Sequence, residues 1–352
     1  MRHLVAFDSL APFGWNDRWA ALLAAAAEGG GGGDAGLVPG RVVRHDGAGV
    51  VVALPEGART LMLARPLDPA PAVGDWLAVV GDLPVAVLPR TSLLTRRSAG
   101  SETPQALAAN VDAVLIVCGL DRPVKAGRID RVATLAWDAG AVPAVVLTKA
   151  DLVGDADSVL EAVAAAHPGL DVVATSATTG AGLDDLRALA AGRTVVLVGE
   201  SGAGKSSLTN ALLGAEVMAT GAVRSGDAKG RHTTTSREAH PLPGGGVLVD
   251  TPGLRAVGLW ADRDAVAATF DDIDDLAAAC RFGDCAHGGE PGCAVTAAVV
   301  AGALAPERLE GWRALEREAE AAERRAQPHL QRAYGRRFSR LAKDAQRRKG
   351  RD

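Results

Sequence analysis

Aromatic residues are scarce in this chain, at 3% of 352 residues, with one Tyr, and there are only three Met. Its cores must therefore be aliphatic, built from Ala, Val and Leu. There are four cysteines, too few for a disulfide framework at this length. No apolar run approaches the roughly 18 residues of a membrane span; the longest, such as 113–120, are strand-sized. The opening stretch MRHLVAFDSLAPFGWNDRW lacks a cationic start followed by an apolar segment, so it does not read as a secretory signal. The expectation is a cytoplasmic protein with no membrane partner. Wholesale disorder is excluded as well, because 48% hydrophobic and 23% charged residues are ordinary for a globular protein.

Charge is unevenly distributed. The formal net charge is −4, yet residues 324–352 hold 11 Lys and Arg against two Asp, a net of +9, which leaves −13 on the first 323. A cationic end of this kind points to a polyanionic partner. Tyr334 and Phe338 interleave with the arginines and suit base stacking. Arg90, Arg96 and Arg97 form a second cationic spot.

The chain divides by pattern. Residues 1–37 are a helical-looking lead ending in a flexible joint, Gly29–Gly33. Residues 38–98 hold five short β-branched runs with turn signals such as Asp46-Gly47 and Glu56-Gly57, which predicts an OB-like β-barrel. Residues 99–262 alternate strands (111–118, 142–147, 172–175, 194–198, 247–250) with helical stretches, which predicts an α/β domain with a mostly parallel sheet. Residues 263–323 read as helices around a cysteine cluster, and 324–352 as a basic tail.

The strongest motif is Gly199-Glu200-Ser201-Gly202-Ala203-Gly204-Lys205-Ser206, followed by Ser207. It fits G-x-x-x-x-G-K-[ST] and lies between a predicted strand and a predicted helix. Glycines let backbone N–H groups turn inward around a phosphate chain, and the helix aims its positive end at the same anion. Lys205 suits the β and γ oxygens and Ser206 suits Mg²⁺. Thr148-Lys149-Ala150-Asp151 ends another strand, where a carboxylate can accept from the two adjacent donors of guanine and reject adenine. Ser176-Ala177, at the end of the next strand, suits backbone donors to the base oxygen. Asp250-Thr251-Pro252-Gly253 closes a further strand, placing Asp250 to act on Mg²⁺ through the ion's bound water and the Gly253 N–H for the γ-phosphate. The polar loop 229–235, with Thr233, Thr234 and Thr235, supplies hydroxyls for metal and γ-phosphate, Thr234 among them as a Mg²⁺ ligand.

Cys280-x4-Cys285-x-His287-x5-Cys293 offers three thiolates and an imidazole. A closed set of this kind fits structural Zn²⁺ better than an open catalytic site. Cys118 reads as a small buried hydrophobe.

Taken together, GESGAGKSSL, KGRHTTTSRE and DTPGLR resemble the TRAFAC-class GTPases, but in rearranged order, with the base-recognition segments before the phosphate loop. Such an order resembles the circularly permuted GTPases of the YlqF/YawG type, and the barrel before and Cys/His cluster after are similar to the RsgA family of small-ribosomal-subunit biogenesis GTPases. The resemblance covers about 38–323. It implies GTP and GDP as ligands, Mg²⁺, one Zn²⁺ on the four Cys/His residues, and a partner in the small ribosomal subunit and its rRNA, with the chain acting as a monomer. Two departures stand out. Thr148 occupies a position where the family usually has Asn, so one base or loop contact is expected to be lost. Leu254 stands where Ras-like enzymes place a water-orienting Gln; the resemblance implies that His232 takes that role when a partner orders its loop, with Lys205 as the other catalytic group. The expected fold is α/β: a circularly permuted P-loop GTPase domain with an N-terminal OB-like β-barrel and a C-terminal helical zinc domain. The alternative function is an RNA-binding assembly factor in which nucleotide is mainly structural.

Overall fold

Short runs of Val, Leu and Ala separated by turn residues become strands wherever one or both faces can be buried. The computed structural model describes residues 5–29, 36–46, 49–64, 66–96, 105–216, 237–250 and 263–326. Two units are distinguished, residues 1–258 and 259–352. The expectations on Thr233–Thr235, His232, Gly253, Leu254, Arg97 and the tail from 327 lie outside the described residues.

In the first unit, β1 (Val38–Asp46), β2 (Gly49–Leu54), β3 (Gly57–Met62), β4 (Trp76–Val80) and β5 (Leu83–Val87) follow the five predicted runs. The long β1 pairs antiparallel with both β2 and β4, giving the order β3-β2-β1-β4-β5 with β3 and β5 in contact. That is a small, partly open barrel of the OB kind. Alternate side chains, Val42, Val50, Val52, Leu61, Leu77 and Val79, fill its interior.

The lead packs outside this interior, in a second core where Leu10, Trp19 and Leu23 join Trp76. Its helix α1 (Asp17–Gly29) is capped by Asn16, whose side chain accepts from the Arg18 and Trp19 N–H groups. Trp15 and Trp19 meet Trp76 of the barrel with ring centroids 5.0 and 6.0 Å apart. Arg90, expected as part of a cationic spot, has its charge matched inside the structure: its guanidinium pairs with the fully buried Asp75 at 2.7 Å. A carboxylate with no water around it needs a fixed counter-charge, and Arg90 supplies it with two hydrogen bonds.

Beyond the barrel, β6 (Leu93–Arg96) and β7 (Gln105–Ala109) form an antiparallel pair that the pattern did not suggest. The α/β part follows with β8 (Ala113–Gly119), β9 (Val142–Thr148), β10 (Asp171–Ala174) and β11 (Thr194–Gly199), then β12 (Glu238–Pro241) and β13 (Val247–Asp250). The parallel order is β10-β9-β8-β11-β13. β12 runs antiparallel to β13 and carries the sheet on into β1 of the barrel through the pair Arg44↔Glu238. Helices α2 (Ala126–Asp138) and α3 (Ala156–Ala166) cover one face with Ile129, Ala133 and Val163. Helices α4 (Leu183–Ala190) and α5 (Lys205–Leu213) cover the other with Leu183, Leu186, Leu208 and Leu212. Burial on both faces explains why these strands are continuous apolar runs rather than alternating ones.

Arg41 ties lead, barrel and sheet together. It is fully buried, donates from Nε to Gly74 O at 3.3 Å and from Nη2 to Thr194 Oγ1 at 2.7 Å, and reaches Phe13 O as well. Burial pushes its pKa down to about 10, against the pull of Asp112 and Asp75.

The second unit contains α6 (Arg263–Thr269), α7 (Asp271–Ala277), α8 (Ala294–Val300) and α9 (Pro306–Ala326). Arg308 of α9 anchors it. Its guanidinium donates to Thr269 O at 2.7 Å and Asp272 Oδ1 at 2.8 Å and lies 4.4 Å from the Phe270 ring centroid.

Candidate nucleotide site and metal cluster

Five parallel strands end at one edge of the sheet, and an open α/β sheet binds ligands outside its carboxyl ends. Gly119, Thr148, Ala174, Gly199 and Asp250 are the last residues of β8, β9, β10, β11 and β13. The loop between β11 and α5 runs over 200–204. Gly202 and Gly204 have φ of +79° and +92°, the left-handed region that side chains disfavour. A Cβ on Gly199 would lie 2.4 Å from Val117 O, so the strand end admits only glycine there. Lys205 opens α5, and its Nζ donates to Gly199 O and Glu200 O at 2.7 Å each. Ser206 is half-buried and Ser207 exposed in the same first turn.

The segments predicted for base recognition come to this loop. Thr148 is buried, and its hydroxyl donates to Ala203 O at 2.6 Å. At the position where the resemblance expects Asn, the Thr148 hydroxyl thus contacts the phosphate loop. Lys149, itself at φ +61°, donates from Nζ to Gly202 O at 2.7 Å and pairs with Asp121 at 2.9 Å. Asp151 accepts from the Ser176 hydroxyl at 2.5 Å. Ser176 also accepts the N–H groups of Thr178 and Thr179, while its own N–H goes to Ala181 O. Its backbone donor is therefore not available to a base as expected; its hydroxyl orients Asp151 instead, and Ala177 follows it.

A second ring of charges was not anticipated. Glu200 pairs with Arg128 at 2.5 Å and lies 3.9 Å from Arg122. Arg122 pairs with Asp121 at 2.9 Å and passes close over Gly202. Hydrogen bonds from Arg122 and Lys149 hold the Asp121 carboxyl well below the usual carboxylate range. The only trace in sequence is Asp121-Arg122 directly after a buried strand. Opposite the loop, burial pushes the Asp250 carboxyl up, Glu238 adds to this, and His240 and Lys205 oppose it. The half-buried Asp250 carboxylate at the end of β13 and the half-buried Ser206 hydroxyl in the first turn of α5 are hard oxygen donors, the kind that Mg²⁺ takes. Cys118, half-buried at the end of β8, has its thiol pushed up to about 11 by burial.

In the second unit, the donor atoms of Cys280, Cys285, His287 and Cys293 all lie within 4.8 Å of one another. Cys280 Sγ is 3.6 Å and Cys293 Sγ 3.5 Å from His287 Nδ1, and the two sulfurs are 3.9 Å apart. A tetrahedron with Zn–S of about 2.3 Å and Zn–N of about 2.1 Å has S–S edges of about 3.8 Å and S–N edges of about 3.6 Å. The donor set and these three edges fit Zn²⁺. The shell around it is ordered by the chain: the Ala294 N–H points to Cys280 Sγ and the Thr296 N–H to Cys293 Sγ. Trp312 of α9 packs on the His287 ring at 5.3 Å, and Arg313 donates to the His287 carbonyl. Burial opposes ionisation of Cys293, but hydrogen bonds from Thr296 and His287 outweigh it and bring the thiol down to about 6.

Comparison with known proteins agrees with this geometry. The RsgA GTPase family model matches residues 87–260. The small ribosomal subunit biogenesis GTPase RsgA of Streptomyces avermitilis is 47% identical over 322 residues, covering 88% of this chain and 85% of that protein. That of Xanthomonas axonopodis pv. citri is 46% identical over 306 residues, covering 82% and 83%. Among solved structures, YjeQ from Thermotoga maritima superposes with a TM-score of 0.61 at 27% identity, covering 80% of this chain and 98% of that one. YloQ, described as a circularly permuted GTPase, superposes at 0.60 with 23% identity, covering 81% and 96%, and bears on the fold alone.

Proposed function

The chain belongs to the RsgA GTPase family and is a GTP-hydrolysing enzyme, and from that premise we propose that it binds the small ribosomal subunit through rRNA during late maturation, with GTP as the switch. Guanine is selected by Asp151, held by Ser176. The phosphates lie along the amides of 200–204 and the start of α5, where backbone donors and the helix dipole act together. Lys205 leaves the carbonyls of Gly199 and Glu200 for the β and γ oxygens. Ser206 and Thr234 would hold Mg²⁺, with Asp250 acting on it through bound water, and the ion would neutralise charge on those oxygens. His232 orients the attacking water once the subunit orders its loop, because Leu254 has no group to do so. Slow intrinsic turnover and strong stimulation by the subunit follow from this assignment.

Release of the γ-phosphate frees the loops around Thr234 and Gly253, and with them the grip on RNA. The working parts we assign are the barrel 38–98, the permuted GTPase domain 99–262, the zinc domain 263–323 and the basic tail 324–352, acting as a cytoplasmic monomer. Clustered arginines in the tail bind phosphate with little base preference. The observation that carries the reading is the loop itself: left-handed glycines, a lysine at the helix start, and Thr148 and Lys149 fastened to its carbonyls. The test is GTP turnover with and without purified small subunits at two salt concentrations. Stimulation that weakens at higher salt and disappears in His232→Ala supports the reading. Turnover indifferent to the subunit refutes the switch.

A further inference from the structure

Three charged residues stand in one row across three neighbouring strands. β1 meets β12 at Arg44↔Glu238, and β12 meets β13 at Glu238↔Asp250. Directly paired residues of antiparallel strands project to the same face, with Cβ atoms about 4.5–5.5 Å apart. The row therefore runs without a gap from the barrel to the strand end that faces the phosphate loop. Arg44 Nη1 lies 3.5 Å from Glu238 Oε1, with the two side chains 36% and 35% exposed. On its other side Glu238 stands against Asp250, a like charge directly opposite, which is an unfavourable cross-strand pair on its own. It becomes favourable when a cation is held beside it.

Resting on the nucleotide-site reading above, we propose that Glu238 is a positioning residue for the divalent cation of the nucleotide, and that Arg44 of the barrel tempers it. Glu238 does not touch the nucleotide. Its negative charge deepens the potential at Asp250 and strengthens the hold on the cation. Arg44 partly neutralises that charge, so the barrel sets the cation affinity of a site on another part of the sheet. Any movement of the barrel that draws Arg44 away from Glu238 tightens the cation, and by reciprocity a bound cation alters the energy of that movement.

The two residues carry opposite signs, and so must their effects. The experiment titrates MgCl₂ into the full-length chain with a fluorescent GDP analogue and reads the Mg²⁺ midpoint of nucleotide binding. Glu238→Gln, which keeps size and shape, raises the midpoint about fivefold, the scale of one unit charge acting on a divalent ion across a few ångströms of a wet surface. Arg44→Met lowers it by about the same factor, and Arg44→Lys stays close to wild type. The double variant behaves like Glu238→Gln, because Arg44 acts through Glu238. An ion pair that only stabilises the fold would shift both single variants the same way. Any pattern other than opposite shifts overturns the assignment. A wild-type chain that does not bind the analogue at any MgCl₂ concentration refutes the nucleotide site itself, a result distinct from binding that ignores MgCl₂ or from unchanged midpoints in variants that bind, which overturn this proposal alone.

Discussion

Replacing Thr148 by Val removes one hydroxyl and changes almost nothing else in shape. The hydroxyl donates to Ala203 O at 2.6 Å, and the two residues are 4% and 3% exposed. No water replaces the lost donor easily, so the Ala203 carbonyl is left buried and unpaired. Such a loss costs about 1–3 kcal/mol. The surface loop can relax somewhat, which places the expected effect near the lower end, at about 1–2 kcal/mol. Where it falls on the nucleotide-bound geometry, that is roughly a five- to thirtyfold weaker GDP affinity. Thr148→Ser keeps the donor and is expected to remain within about threefold of wild type. The assay is a fluorescence titration with a GDP analogue, accompanied by urea unfolding to separate affinity from stability. If Thr148→Val binds as wild type while Thr148→Ser is weak, the hydroxyl is not the link between base segment and phosphate loop.

Arg41→Ala leaves Thr194 Oγ1 and the Phe13 carbonyl without this donor, while Gly74 O keeps Asn110 Nδ2, and is expected to destabilise the first unit by about 2–5 kcal/mol in urea unfolding; a change within error would mean the buried guanidinium is dispensable. Chelation of Zn²⁺ is expected to unfold the second unit while GDP binding by the first persists, read by circular dichroism and titration together. Cys285→Ser should lower bound zinc, measured by elemental analysis, from one per chain toward zero. Hydrogen bonds from Thr296 and His287 hold the Cys293 thiol down at about 6, below its ordinary value; because zinc takes the thiolate, acidification through about 6 should release the metal and unfold the second unit, read by elemental analysis and circular dichroism together. Asp151→Asn exchanges an acceptor for a donor and is expected to weaken GDP at least a hundredfold while admitting xanthosine diphosphate, measured by competition.

Legibility differed between elements for physical reasons. The phosphate loop and the Cys/His set were plain in sequence because their chemistry demands fixed residue types at fixed spacings. The barrel strands were visible through β-branched runs broken by Asp-Gly and Glu-Gly. β12 was missed: four residues, Glu238–Pro241, one of them proline, carry no periodic signal, and its place is set by pairing with β13 and β1. The lead reads in sequence only as a helical segment before a glycine joint. Its anchors, Trp15 and Trp19, act on Trp76, some sixty positions away, and no local pattern announces that. Arg90 counts only as one more cation of a cationic spot in the sequence, because nothing local marks its partner Asp75 as fully buried. The ring of Glu200, Arg122 and Arg128 depends on loops from β8, α2 and the phosphate loop meeting at one edge, which only the strand order provides.

The most direct measurement is isothermal calorimetry of the purified full-length chain with GDP and with ADP in magnesium buffer. The account predicts saturable one-to-one heat with GDP, its loss in Lys205→Ala, and none with ADP at the same concentrations. Equal heats for the two nucleotides, or silence with GDP, would contradict it.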